Sequence, residues 1–95
     1  MAAMSFLAAT ATPAHAATGR LWINGGYQTD PQNMCWNIHT PVHGATVKNE
    51  LTSGEQVRIY TEAWCHSRSI VVGGTLYPGE EKWYPVLHSF EILSR

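Results

Sequence analysis

The run VRIYTEAWCHSRS, Val57–Ser69, decides how this chain is read, because it sets a cysteine and a histidine side by side after a strand-like, aromatic-rich stretch. Cys65 and His66 admit three readings: a nucleophile with its base, two metal ligands, or half of a disulfide beside a bystander. The residues in front of them alternate as a β-strand does, with Val57 and Ile59 on one face and Arg58 and Tyr60 on the other. Neighbours on a strand point to opposite faces, so Cys65 and His66 are expected not to face each other. A base for Cys65 would then have to come from elsewhere, such as His39 or His88.

The N-terminal stretch MAAMSFLAATATPAHAATG is Ala-rich and uncharged, and contains Ala14-His15-Ala16, the small-x-small pattern that signal peptidase accepts. No Lys or Arg follows Met1, so residues 1–16 are expected to be a truncated signal peptide and 17–95 one exported domain. The segment is too short and too interrupted by Thr and Pro to span a membrane. An even cysteine count in a small exported chain reads as a disulfide, here Cys35 with Cys65. Oxidation would remove the thiolate that a nucleophile needs. The 95 residues carry six Lys and Arg against seven Asp and Glu, a net charge of −1. That balance offers neither the basic stripe of a nucleic-acid binder nor a patch for an anionic membrane.

The apolar runs are short, β-rich and separated by turn residues, with no helix-period segment after residue 20. Strands are expected at Arg20–Asn24, Met34–Ile38, Gly44–Asn49, Glu55–Thr61, Arg68–Gly74 and Leu87–Leu93. Gly25-Gly26 closes the first strand, and GGYQTDPQN reads as loop. Thr75–Pro85 reads as the longest irregular loop, turning at Pro78-Gly79. Strands at this spacing predict an all-β sandwich or barrel.

The residues that could carry chemistry do not converge in sequence. Cys35, His39 and His43 with Cys65-His66 could ligate zinc, but Pro41 precludes the helix that would put His39 and His43 on one face. Asp30, Glu50, Glu55, Glu62, Glu80 and Glu81 lie in turn or edge contexts, where solvated carboxylates are the default. Ser89 beside His88 lacks any G-x-S-x-G elbow. No enzyme, no metal site and no cofactor is expected.

The stretch Tyr60, Cys65, Ser67 resembles the signature of βγ-crystallin Greek keys: an aromatic, four residues, a second aromatic, one residue, then glycine. In small exported bacterial relatives a cysteine often takes the second aromatic's place. VGGTLYPGEEKWYPVLHSFEIL looks like the remainder of such a key, and MCWNI through GATVKNELTSGEQVRIY like the key before it. The likeness runs from about Met34 to Ile92. It implies two Greek-key motifs forming a small βγ-crystallin-like sandwich with one disulfide and no catalytic residues. It also implies kinship with the crystallin-type peptidase-inhibitor family of Streptomyces metalloproteinase inhibitors and with killer-toxin-like proteins. Serine stands at Ser67 where the family's corner glycine has φ > 0, and that is strained for serine. The calcium-binding stretch of the family falls on Pro41–Thr46 and Tyr84–Ser89, where acidic ligands are missing. In the look-alike Lys48–Ser53, Lys48 would repel the ion, so no calcium is expected.

The function these features imply is that of a small, secreted, monomeric binding protein. The first expectation is a peptidase inhibitor presenting Leu76, Tyr77, Pro78, Trp83 and Tyr84 on the loop 75–85, because aromatic anchors on a preorganised loop suit a tight interface. In that reading Trp83 or Tyr84 could instead close the core. The alternative is a carbohydrate- or cell-wall-binding module stacking a glycan on Trp22, Tyr27, Trp36, Trp64 and Trp83. A toxin-like antimicrobial protein is the third.

Overall fold

The computed structural model describes residues 7–8, 16–66 and 70–93, with 7–8 and 70–73 described by their backbone alone. The expected leader therefore lies outside the described residues except at 7–8 and 16, as does Ser67 with its expected positive φ. The chain is all-β: β1 (Leu7–Ala8), β2 (Gly19–Ile23), β3 (Gly26–Thr29), β4 (Cys35–Leu51), β5 (Gln56–Tyr60), β6 (Ile70–Leu76) and β7 (Glu81–Leu93), with one short 3₁₀ turn at Ala63–Cys65. All pairings are antiparallel, in the order β3-β2-β4-β7-β5-β6, and β1 adds to the start of β4. Because β7 lies between β4 and β5, the described strands form one sheet, in which two Greek keys are not separately resolved.

One sheet encloses one core because its two longest strands bend. At about 3.3 Å per residue, a straight strand of β4's length would reach about 55 Å, yet the molecule measures only 27 × 26 × 25 Å. Gly44, at φ +78, is the bend in β4, in a conformation that glycine adopts without the steric cost of a Cβ. Opposite it on β7 is Pro85, which needs no ladder partner for an N–H, between the pairs His43↔Val86 and Ala45↔Tyr84. Burial changes parity there: Tyr84 is inside, Pro85 outside, and Leu87 inside again. A second irregularity, between Asn37 and Val42, absorbs Pro41 where the ladder is broken. The two strands expected at 34–38 and 44–49 are thus one continuous strand serving both ends of the core.

The core gathers Leu21 and Ile23 of β2, Trp36, Ile38, Ala45, Val47 and Leu51 of β4, Val57 and Ile59 of β5, Leu76, and Leu87, Phe90 and Ile92 of β7. Trp36 stacks on Phe90, with ring centroids 6.2 Å apart and planes 7° apart.

The Cys35–Cys65 disulfide is present, joining Cα atoms 6.0 Å apart over a sequence separation of 30. Cys65 does not sit on a strand as expected; it ends the 3₁₀ turn, and Trp64 and Cys65 take left-handed φ of +63 and +54. Such a turn strands its N–H groups, and two buried polar side chains meet them. Asn37 Oδ1 accepts from the Trp64 N–H at 2.8 Å, and Ser89 Oγ accepts from the Cys65 N–H at 2.9 Å. Ser89 then donates to the Glu62 carbonyl at 2.6 Å. Asn37 and Ser89 are themselves register partners, so the corner rests on a single rung of the β4/β7 ladder.

Candidate functional site

The expected loop 75–85 is shorter than the sequence suggests. Leu76 ends β6, the turn occupies only residues 77–80, and β7 begins at Glu81. Leu76 and Tyr84 are core residues, and burial, followed by the charge of Glu80, pushes the Tyr84 hydroxyl above its ordinary pKa. Tyr77, Pro78 and Trp83 remain exposed. The turn is held firmly: the Gly79 N–H donates to the Asn49 carbonyl at 2.7 Å, and the Tyr77 N–H to the Glu80 carboxylate at 2.7 Å.

The exposed aromatics divide between two places. Trp64 stands on the corner turn beside the disulfide, 55% exposed. Trp83, 63% exposed, points from β7 onto the outer face of β3-β2-β4-β7, where Trp22 and Tyr27 also lie. Trp36 belongs to the core and leaves the expected aromatic platform; its indole N–H donates to the Gln32 carbonyl at 3.0 Å.

Register builds this outer face. One row across the sheet reads Tyr27–Trp22–Lys48–Glu81, since Tyr27 pairs with Trp22, Trp22 with Lys48, and Lys48 with Glu81. The row on one side holds Arg20 and Glu50, and the row on the other holds Thr46 and Trp83. Residues two apart on a strand share a face, so these side chains all project outward together. They enclose an open hollow of about 240 Å³ lined by Trp22, Gly25, Thr46, Lys48, Glu50 and Glu81. Trp83 flanks it, its indole lying over Gly44.

The wall on the β2 side is preorganised. Asn24 and Gly25 both have positive φ, +51 and +83, and Ile23 pairs with Gly26, the two-residue primed turn that matches strand twist. Asn24 pins that turn to β4: its N–H donates to the Thr46 carbonyl at 2.9 Å, and its Oδ1 accepts from the Thr46 N–H at 2.8 Å. Trp22 and Tyr27 meet at 5.0 Å between centroids with a 48° tilt, a corner of two rings and not a flat platform. The Arg20 guanidinium stacks 4.7 Å from the Tyr27 centroid and 6.0 Å from that of Trp22.

Glu50 is the hub of the floor. Its Oε1 accepts from the Trp22 indole N–H, and its Oε2 pairs with the Lys48 ammonium at 3.1 Å. The hydrogen bond from Lys48, then that from Trp22, holds the Glu50 carboxyl below its ordinary pKa. A depressed carboxyl pKa contributes its stabilisation above the ordinary carboxylate range and loses it as pH falls through the folded value. An acid titration of tryptophan fluorescence is therefore expected to show a step below the ordinary carboxylate range, absent in Glu50→Gln; a step that survives the substitution would assign it to another group. By contrast, Glu81 and the Thr46 hydroxyl have no hydrogen-bond or ion-pair partner among the described residues.

Among the described residues no three His, Cys, Asp or Glu side chains come together to hold a metal ion. Comparison with known proteins finds no matching family model, no similar curated protein and no similar solved structure.

Proposed function

We propose that the chain is an exported, non-catalytic binding module that takes a glycan on the outer face of β3-β2-β4-β7. The observation that carries this reading is the hollow in which an indole, an ammonium, two carboxylates and a hydroxyl converge on rigid strands. Sugars present an apolar ring face and a rim of hydroxyls, so they are bound by aromatic stacking together with donors and acceptors fixed at the edge. Lys48 keeps N–H donors beyond the one it gives Glu50, and the Glu81 carboxylate and the Thr46 hydroxyl have no partner among the described residues. The disulfide is compatible with an extracellular location.

The peptidase-inhibitor reading, with its βγ-crystallin Greek-key kinship, keeps one supporting feature, the pinned and exposed Tyr77-Pro78-Gly79 turn. It loses Leu76 and Tyr84 to the core, so fewer anchors remain for a partner. The two readings separate in one experiment. Titrating soluble oligosaccharides while following tryptophan fluorescence is expected to show saturable binding that Trp22→Ala or Trp83→Ala weakens roughly tenfold, the scale of one lost aromatic anchor. Trp64→Ala, at the far corner, is expected to bind as the parent does. Silence toward every glycan, with inhibition of secreted peptidases at micromolar concentration, would reverse the order.

A further inference from the structure

We infer that the hollow selects oligosaccharides bearing free amines, the protonated amine pairing with Glu81 while its sugar ring stacks on Trp22. This rests on the glycan-binding reading and narrows its ligand class. The charges on the face are unequally engaged. Both oxygens of Glu50 are occupied, one by the Trp22 indole and one by Lys48. Arg20 lies against Tyr27 and Trp22, outside the lining of the hollow. The charge of Lys48 is balanced by Glu50, although its ammonium keeps further N–H donors. Glu81 lines the hollow with no partner among the described residues, and a carboxylate offers acceptors only.

The group that best completes such a site is a cationic donor. An ammonium donates a charge-assisted hydrogen bond to Glu81 and gains the attraction of a neighbouring indole face. A ring carrying a carboxylate would instead meet Glu81 and Glu50 as like charges, against the single positive charge of Lys48, which Glu50 already balances. An N-acetyl group can donate one neutral hydrogen bond but brings no charge. Trp22 and Trp83 sit two strands apart and one row offset, roughly 10–12 Å from strand spacing and rise. That span suits an oligosaccharide of several units and exceeds a single sugar.

The test is calorimetric titration, at a mildly acidic pH where sugar amines are protonated, with four tetramers: glucosamine, N-acetylglucosamine, glucose and galacturonate. The glucosamine tetramer is expected to bind roughly tenfold more tightly than the N-acetyl and neutral ones, the increment of one hydrogen bond to a charged group. Glu81→Gln is expected to bring the glucosamine and N-acetylglucosamine tetramers within about twofold of each other. Equal binding of all neutral and amine tetramers would overturn the selectivity and leave the glycan reading standing. Tightest binding of the galacturonate, or an amine preference that persists in Glu81→Gln, would overturn the role of Glu81. No binding by any tetramer would overturn both. Circular dichroism of the variant confirms that its fold is retained.

Discussion

Replacing Asn49 with leucine is expected to destabilise the domain by about 3 kcal/mol or more. Asn49 is fully buried near the C-terminal end of β4, where an apolar residue would be the default. Its amide is used completely. Nδ2 donates to the Glu55 carbonyl at 3.1 Å and to the Leu76 carbonyl at 3.0 Å, and Oδ1 accepts from the Leu51 N–H at 2.9 Å. One side chain thus ties β4 to the end of β6 and to the connection entering β5. Leucine would fill the space and strand three buried backbone groups at about 1–3 kcal/mol each, offset by about 2 kcal/mol of added apolar burial. Denaturant unfolding followed by circular dichroism measures this. A loss under about 1 kcal/mol would mean that water or relaxed backbone satisfies those groups.

Opening the disulfide is expected to cost about 3.5 kcal/mol. The chain-entropy argument gives this for a loop of that length, and the Cys35→Ser, Cys65→Ser double variant tests it. The bond is not the only tie at the corner, since Asn37 and Ser89 hold the backbone at Trp64 and Cys65 independently. The double variant is therefore expected to keep its strands while unfolding at lower denaturant. A corner supported by the bond alone would show in the same experiment as loss of signal from Trp64 before the main transition. For a domain of this size the expected loss is a large share of the total stability.

Much of the fold is legible in the residues themselves, because strand alternation is local. Val57 and Ile59 read as one inward face and are fully buried, and Phe90 and Ile92 do the same at the end of the chain. The paired cysteines follow from number alone. The β2/β3 hairpin also had its signal in Asn24-Gly25, the dipeptide best suited to a primed turn, although Gly25-Gly26 reads more obviously as a strand end. Other features depend on contacts between distant segments. Pro41 and Pro85 look like strand breakers, and only the ladder irregularity at one and the Gly44 bend opposite the other let β4 and β7 run through them. Residues 81–85 look irregular because they are polar and exposed at one end, yet their pairing with β4 makes them strand.

The candidate site divides the same way. Trp22, Tyr27 and Trp83 stand out in the sequence as large aromatics in a small domain. Lys48, Glu50 and Glu81 do not, since each is an ordinary surface charge until register aligns Trp22 with Lys48 and Lys48 with Glu81. A shift of one residue in either pairing would send half of these groups to the opposite face.

The long β4/β7 pair also sets the order in which the domain can assemble. Its rungs join Cys35–Lys48 to Glu81–Glu91, and the last strand is inserted between β4 and β5, which precede it in the chain. Hairpins β2/β3 and β5/β6 can form from neighbouring residues and β2 can pair with β4 directly, but β5/β6 gains its place in the sheet only when β7 arrives. A topology so dominated by distant pairings folds slowly, in milliseconds to seconds. The domain therefore stays open until its final strand is available, a state compatible with threading through a narrow channel before the cysteines meet.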